Sequence, residues 1–501
     1  MNSNHRTRPA SASEMHRCPR TPERHRGRLI LFSLVLVAGS IVVSGQSLQD
    51  PELTSRIQVL DASIEATVAA EGLPGLSIGL VHDQDLIWAK SYGFANLEKQ
   101  IPASPATLYR LASVTKVFTA TAIMQLRDAG KLHLDDPVAK HLPWFAPKNP
   151  FPNSPAITVW HLMTHTGGLP DADGRASTVS TVGEVWREEL SRFLRETELV
   201  LPPETEYSYE NVNYVLLGQI IAAVSGQPYA RYMEDHILTP LGMKASRFRE
   251  EGAAVGYRRT SPGMPYEVAP RPVASYEQSP GAPAGGLYTS VDDLARFASL
   301  QFHDGLVKDA QIVRGSTLRE MQRVQWLQRG WQSGVGLGWE LIERVGEQIR
   351  VGHEGGSSGW RADLVTAPTD KLAVIVLVNA RGFDTHRIIN LAFETGARAV
   401  TVVAERSKTV SIPDPRWEKY VGTYAGRRVM VLNGLLTIID PLAATPWVSR
   451  VVLRPVAPHT FRVRRMGSPY GDLDRELATF ETDQNGGVIG LRWGTNYWPR
   501  R

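Results

Sequence analysis

Ser113-Val114-Thr115-Lys116 sets a hydroxyl and a primary amine three residues apart, between the extended-looking run Thr107 to Leu111 and a helical run from Val117 to Leu126. Residues three or four apart share a helix face, so the amine returns to the hydroxyl. A free serine hydroxyl is a weak nucleophile and needs a neighbour that takes its proton. Lysine does this only when neutral, a state favoured by burial and by neighbouring cations. The first turn of a helix adds positive potential and free backbone N–H groups beside the serine oxygen. The four residues thus describe a nucleophile carrying its own base. Taken alone, they describe equally well a helix start with a solvated lysine.

Two further segments supply company: Tyr207-Ser208-Tyr209-Glu210-Asn211-Val212-Asn213 and Val351-Gly352-His353-Glu354-Gly355-Gly356. In this order and spacing the three segments resemble the serine beta-lactamase and penicillin-binding superfamily, in its branch of class C beta-lactamases, DD-peptidases, D-aminopeptidases and esterases. The resemblance runs from about Leu60 to Val400 and includes Ile157 to Pro170, Pro240-Leu241-Gly242-Met243 and Gly285 to Leu294. It implies that Ser113 attacks a carbonyl to give an acyl-enzyme, with Lys116 and Tyr209 as bases. A phenol beside two cationic groups would ionise more easily, which suits Tyr209 to shuttle a proton. The resemblance further implies substrate contacts from Asn211, His353 and Gly355, and an oxyanion hole from the N–H groups of Ser113 and Gly356. His353 stands where many members carry lysine, so its charge depends on pH. Glu354 puts a carboxylate where a small hydroxyl residue or glycine is usual. Such a charge opposes substrates with a free acid, as beta-lactams and D-Ala-D-Ala peptides have, and favours neutral esters or amides.

Three rival motifs are weaker. Gly355-Gly356-Ser357-Ser358-Gly359 matches the Gly-x-Ser-x-Gly elbow, yet Trp360 to Thr366 reads as a strand where a helix should follow. His161 and His165 have zinc-ligand spacing but lack the neighbouring glutamate, and packing is the better account. Gly334-Val335-Gly336-Leu337-Gly338 precedes no helix and reads as a turn. No metal and no cofactor are expected.

The elements that position these residues follow from periodicity. Leu76 to Val81, the polar turn His82 to Asp85, and Leu86 to Ala89 predict a hairpin. Apolar residues at helical spacing run from Val117 to Leu126, and Gly130 supplies a left-handed cap. Residues 180–197 and 212–225 read helical, and Arg259 to Pro283, with Tyr266 and Tyr276, reads as a long loop suited to line a cleft. Ile349 to Val351 and Leu372 to Val378 read as strands, and Thr385 to Val403 as a helix. Strands at both ends with helices between predict an α/β (α+β) domain over 55–405, a beta-lactamase/transpeptidase-like mixed antiparallel sheet flanked by helices. Short alternating runs over 412–501 predict a small C-terminal all-β domain, packed beside the cleft or mediating association.

At 501 residues, more than one folded unit is expected. The net charge of +4 comes from an arginine-rich head: without the seven arginines and two glutamates of residues 1–28, 48 basic residues face 49 acidic ones. A nucleic-acid partner is excluded on that balance. The head precedes the apolar run Leu29 to Val43 and the small residues Ser44 and Gly45, a signal-peptide pattern over 1–45 that is cleaved or retained as an anchor. Cys18, the single cysteine, lies ahead of that run, which excludes a lipoprotein cleavage site and leaves no disulfide. The sequence thus predicts a periplasmic or secreted serine hydrolase acting on a small-molecule or peptide substrate of ester or amide type, touching a membrane only through an uncleaved N-terminal segment. The alternatives are a D-Ala-D-Ala carboxypeptidase or beta-lactamase, and a non-catalytic binding protein on the same fold.

Overall fold

The computed structural model describes residues 51–501 apart from 171–184, 262, 270–278, 308–309, 347, 398–414 and 466–475. The leader, Cys18 and Tyr276 therefore lie outside the described residues, as do the start of the helix predicted over 180–197 and the end of that over 385–403. A nine-stranded sheet forms the frame, in the order Trp326–Leu327, Ser333–Val335, Leu341–Val345, Gln348–Ser357, Trp360–Ala367, Leu372–Val378, Gly75–His82, Asp85–Asn96 and Ile101–Pro102. Every pairing in it is antiparallel. The predicted hairpin is Gly75–His82 with Asp85–Asn96, and its first strand lies against Leu372–Val378, so the two ends of the domain meet at mid-sheet.

Alternation along the strands gives the sheet two dry faces. Ala362, Leu364, Ile375 and Leu377 join the larger core with the helices of the inserted half, while Val365, Val374, Val376 and Val378 join a second core with the helices Pro51–Glu71 and His386–Ala392. The helix Thr115–Asp128 is packed within the larger core: every residue from Thr115 to Met124 is buried, Lys116 included. It ends as read, with Gly130 at φ +69°. The helix Asn211–Ser225 ends likewise at Gly226, φ +72°.

The long loop departs from its expected place. Tyr266 packs beneath the guanidinium of Arg259 and against the second core, away from Ser113. At the loop's end, the residue after Pro283 reaches the candidate site, where the Ala284 carbonyl accepts from Lys116.

The C-terminal strands form a meander of eight, Gly422–Tyr424 through Asn496–Pro499. Tyr424 pairs with Arg500, and Ala425 N–H donates to the Pro499 carbonyl, so the first strand closes on the last and the unit is barrel-like. Closure removes the edges that an open sheet would expose. The barrel packs on helix Pro51–Glu71 rather than at the serine: Leu432, Ile439 and Trp447 bury against Val59 and Ala62, and Arg428 pairs with Glu65 at 2.6 Å. Among the described residues no helix is long and apolar enough to cross a membrane.

Candidate active site

Ser113 sits in a single 3-10 turn, Ala112–Val114, that leads into helix Thr115–Asp128. The preceding Ala112 has φ +46°, a left-handed conformation unusual for a residue with a Cβ. The strain aims the serine off the helix end. It persists because the turn is fixed on both sides: Leu111 N–H donates to the Leu287 carbonyl, and Gly355 lies directly against Leu111 and Ser113. A Cβ added to Gly355 would stand 2.1 Å from the Leu111 oxygen and 3.1 Å from Ser113 N. Gly355 therefore lets the strand Gln348–Ser357 approach the nucleophile turn, bringing the backbone segments that carry Ser113 N–H and Gly356 N–H together.

Lys116 Nζ lies 3.1 Å from Ser113 Oγ, 2.8 Å from Asn211 Oδ1 and 2.8 Å from the Ala284 carbonyl. A neutral amine has two N–H bonds and one lone pair. The two carbonyl oxygens accept the N–H bonds, which leaves the lone pair for the Ser113 hydroxyl proton. Burial pulls the Lys116 pKa down to about 7, against a smaller upward pull from Glu340. The solvated-lysine reading is thereby excluded. Asn211 opens helix Asn211–Ser225, and its side-chain oxygen is the one that accepts from Lys116.

Tyr209 stands close enough to Ser113 to feel its hydroxyl, but not as an easily ionised phenol. Burial first, and then the charge of Glu340, push its pKa well above the usual tyrosine range. The two cations assumed from the sequence reduce to one at most. His353 is fully buried, and burial together with Lys116 depresses its pKa to about 3. Its Nδ1–H donates to the Glu354 carbonyl at 2.6 Å, and the ring stays neutral across the physiological range.

Glu354 also differs from its expected role. Its register partner is Asp363, its Oε2 lies 2.6 Å from Arg361 Nη2 and 3.7 Å from His386 Nδ1, and it belongs to the sheet face opposite Gly355 and Ser113. Strand alternation turns His353 and Gly355 toward the nucleophile and Glu354 away. The carboxylate that does face the site is Glu340, whose Oε2 is 3.4 Å from His353 Nδ1. Burial, and next the nearby Glu354, raise its pKa to about 7. Sequence reading passed over Glu340; the only signal was its place two residues after the glycine run Gly334 to Gly338, which begins in the strand Ser333–Val335 rather than as the turn expected and ends with Gly338, at φ +84°, packed on Ala120 of the nucleophile helix.

His165, read from its spacing to His161 as a packing residue, packs at the site itself. It is buried at φ +57° and stacks on Tyr209, with centroids 4.4 Å apart. Its Nδ1 accepts from Glu210 N–H and Asn213 Nδ2–H, which fixes the Tyr209 loop. His161 instead caps its own helix through Thr158, so the two histidines share no metal position. Ser357 ends a strand and is followed by a two-residue turn into the strand Trp360–Ala367, which removes the elbow reading.

The Beta-lactamase family model matches residues 60–396, and the chain belongs to that family, whose members are generally serine hydrolases. Within the family, the chain is 29% identical over 330 residues to Protein flp of Staphylococcus aureus (strain MW2), an alignment spanning 64% of this chain and 63% of that protein. It is 26% identical over 362 residues to a putative D-alanyl-D-alanine carboxypeptidase of Escherichia coli (strain K12), spanning 65% and 82%. The octameric penicillin-binding protein homologue from Pyrococcus abyssi superposes with a TM-score of 0.58 at 26% identity, covering 88% of this chain and 99% of that one.

Proposed function

We propose that this chain is an exported serine hydrolase that works through an acyl-enzyme on esters or amides without a free carboxylate beside the scissile bond, and that beta-lactam hydrolysis is weak or absent. The observation that carries the proposal is the Lys116 amine, 3.1 Å from Ser113 Oγ and 2.8 Å from both Asn211 Oδ1 and the Ala284 carbonyl, so that in its neutral form the two oxygens take the N–H bonds and the lone pair is left for Ser113. Lys116 accepts the serine proton as the Oγ–carbon bond forms. Tyr209, held neutral, gives its own proton to the leaving group and is reprotonated from the Lys116 ammonium. Water then attacks the acyl carbon, Lys116 takes the water proton, and Ser113 leaves with a proton restored.

The preference for neutral substrates rests on charge. His353 contributes no cation and Glu340 contributes partial negative charge, so a substrate carboxylate meets no compensation at that wall. The carboxypeptidase reading gains support from the name of the Escherichia coli relative, and its substrates carry such a carboxylate. A panel of p-nitrophenyl esters, nitrocefin and D-amino-acid amides on the purified chain separates the two. Faster turnover of short-chain esters supports the proposal, and nitrocefin turnover equal to that of esters refutes it. Binding without turnover of any of them assigns a non-catalytic role.

A further inference from the structure

Behind the strand that carries Gly355 and Gly356 lies a cluster that the proposed chemistry does not use. Glu354 and Asp363 are direct cross-strand partners, and like charges in that position repel. Arg361, two residues before Asp363 on the same strand, pairs directly with Glu354 and acts on Asp363 only through space. Asp363 is 1% exposed, and neither of its carboxylate oxygens makes a hydrogen bond of regular geometry, the Thr385 hydroxyl being the one polar neighbour that acts on it at close range. A buried carboxylate left in that state is costly and calls for a counter-ion or ligand. His386, at the start of helix His386–Ala392, completes the group: one ligand atom from each of Glu354, Asp363 and His386 lies within 4.8 Å of the other two. An open cleft of about 260 Å³, lined by Glu354, Asp363 and His386 and also by Glu340 and His353, gives access from solvent.

We propose that Glu354, Asp363 and His386 bind a divalent cation of the zinc type, which clamps the back of the oxyanion strand to its neighbour strand and to helix His386–Ala392. One imidazole nitrogen and two carboxylate oxygens suit zinc, with water in the fourth position. Tetrahedral ligands about 2.1 Å from the ion stand roughly 3.4 Å apart, so side-chain movements of about 1 Å close the site. Glu354 retains one oxygen for Arg361 and offers the other. The ion sits on the face away from Ser113, which makes it a structural clamp and not an electrophile for the reaction. The inference holds whether or not the chain turns over a substrate.

The test is isothermal titration of the untagged, EDTA-stripped full chain with zinc chloride, paired with its melting temperature with and without zinc. One saturable equivalent and a zinc-dependent rise in melting temperature are expected. Asp363→Asn should abolish both. His386→Ala removes a side chain 41% exposed, which the fold tolerates, and should weaken binding by at least about tenfold. Absence of saturable binding overturns the proposal. So does an affinity unchanged in His386→Ala, which would place the ion on other histidines.

Discussion

Asn211→Asp tests the assignment of Lys116 as a base lowered to about 7 without touching either Ser113 or Lys116. The distance from 10.5 to about 7 means that the site, burial outweighing the pull of Glu340, disfavours the charged amine by roughly 5 kcal/mol on balance. At pH 7 about half the molecules then hold a free lone pair, against about one in three thousand for an unperturbed lysine. The substitution is isosteric and sets an anion where Asn211 Oδ1 now lies 2.8 Å from Nζ. At an effective dielectric of about 20, that contact is worth about 6 kcal/mol before the cost of burying the new carboxylate. Opposite charges at such range move a pKa by about 1–3 in practice. An anion favours the ammonium, so the Lys116 pKa rises to about 8–10. The assay is the second-order rate of Ser113 labelling by a fluorophosphonate from pH 5 to 10. The wild-type rate should rise with pH around a midpoint near 7, and the variant midpoint should move up by 1 or more, with labelling at pH 7 falling at least about fivefold. Coincident midpoints would refute Lys116 as the titrating base.

Glu340→Gln removes an anion that raises the pKa values of both Lys116 and Tyr209, so the acidic limb of the same profile should move to lower pH, and nitrocefin should gain on esters; a shift to higher pH contradicts the assigned charge. Gly355→Ala forces a methyl group into the Leu111 carbonyl and should cost roughly 1–3 kcal/mol by urea unfolding, along with most labelling of Ser113; normal stability and normal labelling together would show that the close approach is dispensable. Glu354→Thr, measured in EDTA, should leave the nitrocefin-to-ester ratio within about twofold of wild type, because its carboxylate is paired with Arg361 on the other face of the sheet; a large change would put Glu354 back in the substrate site.

Much of this architecture was legible because chemistry and periodicity agree in the chain. The run Val117 to Leu126 gave a buried helix, and a lysine inside it had to be dry, which is the physical source of its low pKa. The hairpin at Leu76 to Ala89 and the strand after Ser357 were likewise readable from alternation. Charge was read less well. Motif spacing says that His353 and Glu354 are adjacent; it does not say that a strand sends adjacent side chains to opposite faces, one to the nucleophile and one to Arg361. Burial inverted two further expectations, keeping Tyr209 protonated and His353 neutral. Glu340 was missed because it belongs to no short motif, and His165, read from its spacing to His161 as a packing residue, could not be tied to Tyr209; each reaches the site only through tertiary packing.

The most direct test of the central claim is intact-mass and peptide mapping of the purified chain after brief exposure to a p-nitrophenyl ester and acid quench. A single acyl adduct on Ser113, lost in Ser113→Ala and in Lys116→Ala alike, is the expected result. An adduct on Ser357, or turnover that survives Ser113→Ala, would contradict it.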